Sequence, residues 1–247
     1  MGEMTDPFAF PPGFQVVVVG GAGDIGSAIA ALFHARGAKV VATGHDRAAL
    51  DRSALSRLQA VDLDVLDVTS DEAVAAFAAR FERVDALVNC AGILARDEEF
   101  RIETFQRVLD VNLTGTFRTS TAFRPHLAAS RGSIVNIASM NAFAALPRLP
   151  AYCASKGGVV MLTKALALAW AEEGIRVNAV APGYIETAIN SEGRKDIAHR
   201  DRIAARTALK RWGQPEEVAG AVVFLTMPAA RYATGTVYAV DGGFLAG

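Results

Sequence analysis

Tyr152 and Lys156 are the residues whose types and spacing most directly indicate chemistry. They stand four positions apart in the segment YCASK, at the start of a run with helical character. Because residues i and i+4 share one face of a helix, the lysine ammonium would lie close to the tyrosine hydroxyl. A nearby cation stabilises a phenolate and lowers the tyrosine pKa from its usual value of about 10. The pair therefore indicates acid–base chemistry, although a tyrosine and a lysine can also share a helix face without any function.

Ser139 is a second polar residue placed where a ligand could reach it. It directly follows the apolar run Ser133–Ala138, which is predicted to be a strand. Open α/β sheets bind their ligands at the carboxyl ends of the strands, so this hydroxyl could hydrogen-bond a substrate oxygen. A serine that merely closes a strand is the alternative, and the tyrosine that follows at residue 152 argues against it.

The elements that position these residues alternate between strands and helices. Apolar runs predict strands at Gln15–Val19, Lys39–Thr43, Ala60–Val65, Ala86–Asn89, Ser133–Ala138, Arg176–Val180 and Thr236–Ala239. The helices between them centre on Ile25–Arg36, Val74–Phe81, Glu103–Leu113, Tyr152–Trp170 and Pro215–Phe224. This alternation is typical of a parallel sheet that is covered on both faces. We predict one doubly wound α/β domain of the Rossmann type in residues 14–247, a loose leader in residues 1–13 and a substrate lid around residues 184–206.

A glycine-rich loop follows the first predicted strand. Residues 21–26 fit the pattern GxGxxG between a strand and a helix. Glycines there allow the backbone to approach a pyrophosphate, which the N–H groups of the helix N-terminus can bind. The loop therefore predicts a dinucleotide site, although the pattern alone often occurs by chance.

The end of the second predicted strand bears on the choice between NAD and NADP. An acid at this point would bind a ribose 2′-hydroxyl and repel a 2′-phosphate. The first residue after the strand is Gly44, so no acid stands there. His45 and Arg47 favour a phosphate and Asp46 favours a hydroxyl, while a solvated turn remains an alternative for each. We expect NADP(H) or NAD(H), with a slight preference for NADP(H).

Composition narrows the classes of function. Hydrophobic residues make up 51% of the 247 residues and the formal net charge is −1, so the chain can bury a large core and carries no basic footprint for nucleic acid. Neither its two cysteines nor its four histidines show metal-ligand spacing, and no metal is expected. No apolar run is long enough to span a membrane. Two free thiols and an acidic N-terminus favour a cytoplasmic protein.

Together, these residues resemble the short-chain dehydrogenase/reductase family over nearly the whole chain. The family motif TGxxxGxG aligns with residues 19–26, where Val19 replaces the threonine and Asp24 replaces the middle glycine. The family motif NNAG aligns with residues 89–92, where Cys90 replaces the second asparagine. Further family motifs follow in order: Asp-Val at 67–68, VNLTG at 111–115, the serine at 139, YxxxK at 152–156, Pro-Gly at 182–183 and the terminal segments at 232–235 and 240–243.

The resemblance implies a role for each of four catalytic residues. Tyr152 would exchange a proton with the substrate as hydride moves to or from a cofactor. Ser139 would bind the substrate oxygen, and Lys156 would lower the tyrosine pKa and bind the nicotinamide ribose. Asn112 would position a water that relays protons to Lys156, unless it is a helix-interior amide that bonds nearby backbone.

The same resemblance and the positions beside its motifs identify candidate binding residues. Those implied for the cofactor are Gly20, Gly23, Asp24, Ile25, Gly26, His45, Asp46, Arg47, Asp67, Val68, Asn89, Ala91, Gly92, Tyr152, Lys156, Pro182, Gly183, Ile185 and Thr187. Those expected near the substrate are Ile93, Leu94, Asn141, Phe143, Leu146, Tyr184 and Glu186.

Three functions remain open at this point. The leading expectation is an NAD(P)(H)-dependent oxidoreductase that interconverts a ketone and a secondary alcohol. A 3-oxoacyl-carrier-protein reductase shares the motifs and would favour a basic entrance, for which Arg96, Arg148 and Arg194 are candidates. A non-catalytic dinucleotide-binding regulator is the third, and the intact Ser139, Tyr152 and Lys156 argue against it.

The chain is also expected to form a homo-oligomer, most simply a homotetramer. Two predicted helices carry apolar residues on more than one face: Phe105, Val108, Leu109 and Phe117 in residues 103–118, and Val159, Leu162, Leu166 and Trp170 in residues 152–170. A face that does not cover the sheet needs a partner, and symmetric assemblies are the common solution. The family resemblance implies that these two helices pair, whereas burial within a single chain is the alternative.

Overall fold

A seven-stranded parallel sheet forms the centre of the molecule. The computed structural model describes residues 6–58 and 61–247, and in these ranges the strand order is β3-β2-β1-β4-β5-β6-β7. The strands are β1 (Gln15–Val19), β2 (Lys39–Gly44), β3 (Val61–Val65), β4 (Ala86–Asn89), β5 (Ser133–Ile137), β6 (Arg176–Pro182) and β7 (Val237–Val240). The chain reverses its winding direction between β1 and β4, which brings the carboxyl ends of β1, β4 and β5 together on one edge.

Helices cover both faces of this sheet. They are α1 (Asp24–Ala35), α2 (Arg47–Arg52), α3 (Asp71–Ala78), α4 (Ile102–Leu109), α5 (Gly115–Ser130), α6 (Pro150–Ala169), α7 (Ser191–Lys195), α8 (Ile197–Arg206) and α9 (Pro215–Thr226). Val16 and Val18 of β1 pack with α1 and α9, whereas Val17 and Val19 pack with α3, α5 and α6. Successive side chains of a strand point to opposite faces, so a continuous apolar strand serves two cores. The predicted doubly wound α/β fold is confirmed.

The predicted strands match the observed ones to within two residues, apart from Ala60, which lies outside the described residues. The helices differ more. The sequence predicts one helix around Glu103–Leu113, whereas the structure has α4, a π-helical turn at Asp110–Thr114 and then α5. The short α2 was not predicted. Its N-terminus is capped by Asp46, whose carboxylate accepts a hydrogen bond from the Ala49 N–H at 2.6 Å.

The described part of the predicted leader, residues 6–13, contacts the core. The Phe10 ring stacks on Phe14 with centroids 4.2 Å apart and on Phe33 of α1 at 5.6 Å. The Pro7 carbonyl accepts a hydrogen bond from the Ala229 N–H at 2.9 Å. Aromatic stacking and this hydrogen bond attach the described part of the leader to the domain, and the leader in residues 1–13 stays a prediction.

The segment predicted as a lid consists of short helices. A 3-10 turn at Ala188–Asn190 leads into α7 and α8. The Trp212 indole N–H donates to the Arg200 carbonyl at 3.1 Å and so joins α8 to the chain that follows it. Among the described residues, no helix combines the length and the apolar character that crossing a bilayer requires.

Candidate active site

Tyr152, Lys156 and Ser139 meet at the carboxyl end of β5. Tyr152 and Lys156 lie on the first turns of α6, and Ser139 begins a 3-10 turn just after β5. The Lys156 Nζ lies 5.6 Å from the centroid of the Tyr152 ring and donates to the Ile137 carbonyl, the last of β5, at 2.7 Å. The Ser139 side chain lies close enough to the Tyr152 phenol to lower its pKa. The spacing read from the sequence therefore does bring the three side chains together.

Burial dominates the acid–base properties of this group. Desolvation raises the pKa of the Tyr152 phenol above its usual value, and the Ser139 side chain lowers the pKa by less. Desolvation also lowers the pKa of Lys156 to about 8. The lowering of the Tyr152 pKa that was predicted from the Lys156 spacing is thus not what this structure has. The helix spacing carries no information on burial, and burial is the larger effect here.

Asn112 lies in the π-helical turn and is fully buried. Its Oδ1 accepts from the Ile93 N–H at 2.8 Å, while its Nδ2 donates to the Ile93 carbonyl at 2.9 Å and to the Ser155 Oγ at 3.0 Å. These contacts tie the chain after β4 to α6. They match the backbone-bonding alternative for this amide, and a water relay to Lys156 stays a prediction.

Gly92 leaves space between two of the predicted catalytic side chains. A Cβ at this position would lie 3.4 Å from the Asn112 Oδ1 and 3.5 Å from the Lys156 Nζ. Gly92 itself is exposed. Asn112 and Lys156 therefore converge on an open stretch of backbone, which suits a ligand that contacts both.

The glycine loop between β1 and α1 is shaped by close backbone packing. Gly20 has a φ of +79°, and a Cβ on it would lie 2.4 Å from the Ala91 nitrogen. A Cβ on Gly26 would lie 2.3 Å from the Gly20 carbonyl oxygen. Gly23 is different, because its nearest neighbour would be 3.7 Å away and the residue is exposed. Gly20 and Gly26 are thus required by the fold, while Gly23 leaves room for a phosphate at the α1 N-terminus.

Asp24 and Ile25 begin α1 beside this loop. The Asp24 Oδ2 accepts a hydrogen bond at 2.6 Å from the N–H of Ala188, which is 164 residues further along the chain. Where the family has a glycine, this chain therefore has a carboxylate that joins the glycine loop to the predicted lid. Ile25 is partly buried and packs against the core that α1 and α9 share.

The end of β2 supports the glycine loop through hydrogen bonds and leaves little room for a side chain at position 44. The Gly20 N–H donates to the Thr43 Oγ1 at 3.2 Å, and the Ala22 N–H donates to the Thr43 carbonyl at 3.1 Å. A Cβ on Gly44 would lie 3.0 Å from the side chains of Ala22 and Leu50. A side chain at position 44 would therefore need Ala22 or Leu50 to shift.

The three residues after Gly44 differ in their freedom to meet a ligand. The Asp46 carboxylate caps α2 through Oδ1, and its Oδ2 lies 2.9 Å from the His45 Nε2. Arg47 is exposed at the start of α2. Because Asp46 is already engaged, it is less available for a ribose hydroxyl than its position suggests.

The predicted cofactor residues after β3 and in β4 each contact a different part of the structure. The Asp67 Oδ1 accepts hydrogen bonds from the N–H and the hydroxyl of Thr69, which lower the pKa of this carboxyl. Val68 is buried against Gly115 at the start of α5. Asn89 donates both amide N–H groups inward, to Ser120 and to Asn136. The Asn89 side chain thus joins β4, α5 and β5 and does not face the cleft, so a cofactor contact through this amide is not supported.

The predicted cofactor residues after β6 form a turn against the neighbouring segments. A Cβ on Gly183, which follows Pro182, would lie 2.6 Å from the Asp241 Cα. Ile185 is buried and its carbonyl accepts from the Asn190 Nδ2 at 2.6 Å. Thr187 is buried at the start of the 3-10 turn whose first N–H binds Asp24.

The predicted substrate residues fall into two groups. Ile93, Leu94 and Leu146 are partly buried, Phe143 is exposed, and Asn141 is buried two residues after Ser139. The Asn141 Oδ1 has no hydrogen-bond partner among the described residues. Tyr184 instead packs its ring on Trp212 and Phe244, at 5.2 and 5.6 Å between centroids.

Tyr184 also lines a cavity of about 600 Å³ between α9 and β7. Neither Ser139 nor Tyr152 borders this cavity. The prediction that Tyr184 lies in the substrate pocket therefore lacks support, since its aromatic contacts direct it toward the β7 edge of the sheet.

The arginines considered for a basic entrance are mostly paired with acids. Arg148 forms an ion pair with Asp97, and Arg194 lies 3.3 Å from Glu186. Arg96 is exposed. Because Asp97 and Glu186 neutralise two of these three arginines, little positive charge remains at this entrance to bind an acidic carrier protein.

Glu99 is a residue near this site that the sequence did not identify. Its side chain is 1% exposed, and its carboxylate accepts from the backbone N–H of Tyr152 at 2.9 Å. The two residues are 53 positions apart, and no local pattern links them.

Comparisons with known proteins agree with this geometry. A family model described as enoyl-(acyl carrier protein) reductase matches residues 20–245. The 2-dehydro-3-deoxy-D-gluconate 5-dehydrogenase of Bacillus subtilis is 39% identical, with 99% of each chain covered. The galactitol 2-dehydrogenase (L-tagatose-forming) of Cereibacter sphaeroides is 40% identical, with 94% of this chain and 95% of that protein covered.

A solved structure shares the whole architecture. The gluconate 5-dehydrogenase from Burkholderia cenocepacia, crystallised in complex with NADP and tartrate, has a TM-score of 0.91 and 34% identity, with 98% of each chain covered. Because the family model and these relatives each match most of the length, the chain belongs to the short-chain dehydrogenase/reductase family.

Proposed function

We propose that this protein is an NAD(P)(H)-dependent oxidoreductase that interconverts a ketone and a secondary alcohol by hydride transfer, with Tyr152 as general acid and base. The observation that carries the proposal is the meeting of Ser139, Tyr152 and Lys156 at the carboxyl end of β5. The relatives named above are dehydrogenases that act on CH–OH groups. A cofactor site at the end of β1, two strands away from β5 in the sheet, supplies the second half of the reaction.

The nicotinamide cofactor fits the residues that surround this cleft. Gly23 and Gly92 leave open backbone, and the free N–H groups at the start of α1 favour a pyrophosphate. The bound cofactor carries the hydride. Gly20 and Gly26 shape the loop, and Lys156 and the turn at Gly183–Thr187 would hold the cofactor beside it.

The chain's own side chains handle the proton and the substrate oxygen. Ser139 donates a hydrogen bond to that oxygen and keeps it beside the Tyr152 hydroxyl. In the reductive direction Tyr152 gives up its proton, and in the oxidative direction it removes one from the alcohol. Lys156 holds a positive charge against the tyrosine ring, which stabilises the phenolate as it forms.

NADP(H) is the preferred cofactor in this proposal. No acid stands at position 44, where packing against Ala22 and Leu50 is tight, and the Asp46 carboxylate is engaged in capping α2. Arg47 is exposed beside it and can meet a 2′-phosphate. The Burkholderia cenocepacia relative was crystallised with NADP.

The substrate class in this proposal is a polyol or sugar acid. Relatives at 39 and 40% identity act on a deoxygluconate derivative and on galactitol, and the solved relative holds tartrate. Asn141 offers a carbonyl oxygen without a partner among the described residues, next to Ser139. A buried acceptor in this position favours a ligand that is rich in hydroxyl groups.

The alternative functions receive less support. A carrier-bound acyl substrate needs a basic entrance, which the Asp97–Arg148 and Glu186–Arg194 pairs do not provide. A regulator without catalysis has no need for Ser139, Tyr152 and Lys156 at contact distance. The dehydrogenase proposal accounts for both the site and the relatives.

The domain, the lid and the cellular setting complete the proposal. Residues 14–247 act as a single cofactor-binding and catalytic domain, with residues 184–206 as a substrate lid that Asp24 holds through Ala188. Cys90 and Cys153 are both free thiols, which suits a reducing cytoplasm.

We propose a homotetramer, although the helix residues used to predict it are partly buried within one chain. Val108, Val159, Leu166 and Trp170 are all at most 6% exposed and belong to the single-chain core. The exposed apolar side chains on these helices are Phe117, Met161 and Leu168. A second apolar face is formed by Phe224 of α9 and Tyr238 of the edge strand β7. Two separate faces are what a tetramer with D₂ symmetry requires.

The proposed chemistry is tested by oxidation and reduction assays across a panel of polyols, sugar acids and simple ketones, with NADP(H) and NAD(H). Tyr152→Phe removes the only proposed proton donor and should lower kcat by about 10²–10⁴-fold while cofactor binding persists. Tyr232→Phe is the matched control, since Tyr232 is fully exposed, and it should retain wild-type activity. A Tyr152→Phe variant with more than half of the wild-type kcat would contradict the assignment.

A further inference from the structure

Glu99 is a buried carboxylate that the mechanism above does not use. It lies in a 3-10 turn at Glu98–Phe100, between β4 and α4, and its side chain is 1% exposed. Glutamate is almost never fully buried without compensating partners, because burial removes the water that stabilises its charge. The structure must therefore supply groups that replace this water.

Two backbone donors from different segments supply this compensation. The Glu99 Oε1 accepts from the Ala95 N–H and the Oε2 accepts from the Tyr152 N–H, each at 2.9 Å. Both oxygens of the carboxylate therefore have a hydrogen-bond donor. One side chain thus joins the segment after β4 to the first turn of α6.

The bond to Tyr152 replaces a missing helix cap. The N-cap residue of α6 is Leu149, whose side chain cannot accept a hydrogen bond, and Pro150 follows it. The Tyr152 N–H is one of the donors that a helix leaves unsatisfied at its N-terminus. A carboxylate at this end also interacts favourably with the helix dipole. Glu99 therefore fixes the backbone that carries the tyrosine.

The charge of Glu99 also acts on the phenol. Desolvation by burial is the largest influence and raises the Tyr152 pKa; the Ser139 hydroxyl lowers this pKa, and Cys153, Cys90 and Glu99 raise it further. The Lys156 ammonium lies against the ring from the same helix. Glu99 is the carboxylate in this set, so it opposes the influence of Lys156.

We propose that Glu99 is a positioning residue for Tyr152, which ties the start of α6 to the segment at Ala95 and sets a fixed negative charge near the phenol. This inference rests on the proposed function, since it assumes that Tyr152 is the acid and base. Glu99 and Asn112 both connect the segment after β4 to α6. Asn112 does so by bonding Ile93 on one side and Ser155 on the other. The loop that borders the substrate and the helix that carries the tyrosine are held together at both points.

The test is the pH dependence of kcat/KM for alcohol oxidation in Glu99→Gln. Glutamine keeps the size and one acceptor oxygen but removes the charge. Loss of a negative charge stabilises the phenolate, so the apparent pKa should fall and oxidation should begin at lower pH. Glu98→Gln is the matched control, because Glu98 is the adjacent acid and is exposed, and its profile should equal that of the wild type.

Glu99→Asp separates charge from geometry and also covers the case in which the glutamine variant does not fold. Aspartate keeps the charge but is too short to reach both donors, so kcat should fall at an unchanged apparent pKa. An unchanged profile in Glu99→Gln, or a shifted pKa or unaltered kcat in Glu99→Asp, would overturn the proposal. Tyr152→Phe distinguishes a failure of the proposed function from a failure of the Glu99 proposal. If Tyr152→Phe remains active, the proposed function fails. If Tyr152→Phe is inactive and Glu99→Gln has the wild-type pH profile, only the role of Glu99 is refuted.

Discussion

At the scale of single residues, burial sets the chemistry of the site. The Lys156 ammonium is 5% exposed and has a pKa lowered to about 8, while the pKa of the Tyr152 phenol is raised. Both shifts have the same cause, since a buried group resists becoming charged. Lys156 therefore stabilises the phenolate below about pH 8, where its ammonium keeps the positive charge.

Lys156→Met should raise the pH at which alcohol oxidation begins and weaken cofactor binding. Without the cation the phenolate loses stabilisation, so a higher pH is needed to remove the tyrosine proton. The kcat/KM profile against pH measures this shift. Lys164→Met is a suitable control, since Lys164 is exposed on the same helix. A variant with the wild-type profile would exclude the electrostatic role of Lys156.

Arg47→Ala should raise the KM for NADPH by more than about fivefold and leave the KM for NADH nearly unchanged, because only NADPH carries the 2′-phosphate. Arg52→Ala, at the exposed end of the same helix α2, should change neither value. A wild-type enzyme with a strong preference for NADH would show instead that Asp46 or the backbone binds the ribose.

At the scale of elements, acidic side chains at the starts of helices hold neighbouring segments in place. Asp24 at the start of α1 binds the N–H of Ala188, and Glu217 at the start of α9 accepts from the Gln214 N–H at 2.8 Å while pairing with Arg211. In each case an acid lies in the first turn of a helix, where the dipole favours it. Asp24 connects its helix to the predicted lid, and Glu217 connects α9 to the residues directly before it.

Asp24→Ala should release the start of the predicted lid. The Ala188 N–H would lose its acceptor, so deuterium exchange in a peptide that spans residues 187–190 should become faster. Asp24→Asn retains an acceptor oxygen and should exchange at nearly the wild-type rate. Equal exchange in the alanine variant and the wild type would mean that the bond does not restrain the lid.

Glu217→Gln should remove part of the acid sensitivity of the fold. The hydrogen bond from Arg211 is the main cause that lowers the pKa of Glu217 to about 2. A carboxyl with a lowered pKa stabilises the fold above its unfolded value of about 4.3, and this stabilisation is lost as the pH falls toward 2. Melting temperatures measured between pH 2 and 5 should fall less steeply in the variant. Glu216→Gln, an exposed neighbour, should follow the wild type.

At the scale of the whole molecule, two apolar faces remain on the surface of a single chain. Met161 and Leu168 of α6 are 63% and 83% exposed, and Tyr238 of the edge strand β7 is 52% exposed. Edge strands and apolar patches of this kind are usually covered by a partner.

Light scattering at micromolar concentration should give four times the chain mass of 26.0 kDa. Phe224→Arg places a charge in the face formed by α9 and β7 and should reduce the mass to that of a dimer, because the α6 face persists. A wild-type mass near 26.0 kDa would show that these side chains need no partner.

The sequence by itself determined the features that depend on neighbours along the chain. Apolar strands between helices predict the parallel sheet, since backbone pairing and side-chain periodicity are local properties. GxGxxG and YxxxK predict the glycine loop and the tyrosine–lysine pair for the same reason. Boundaries were less accurate where packing overrides propensity, as at the π-helical turn that carries Asn112.

Only the tertiary structure decided which groups are buried and which distant residues meet. Glu99 binds Tyr152 from 53 positions away, and Asp24 binds Ala188 from 164 positions away. Asn89 turned out to support the sheet from within, because its partners come from α5 and β5. Burial and long-range hydrogen bonds arise only when the elements pack, and they set the protonation of Tyr152 and Lys156 that the spacing of the two residues left open.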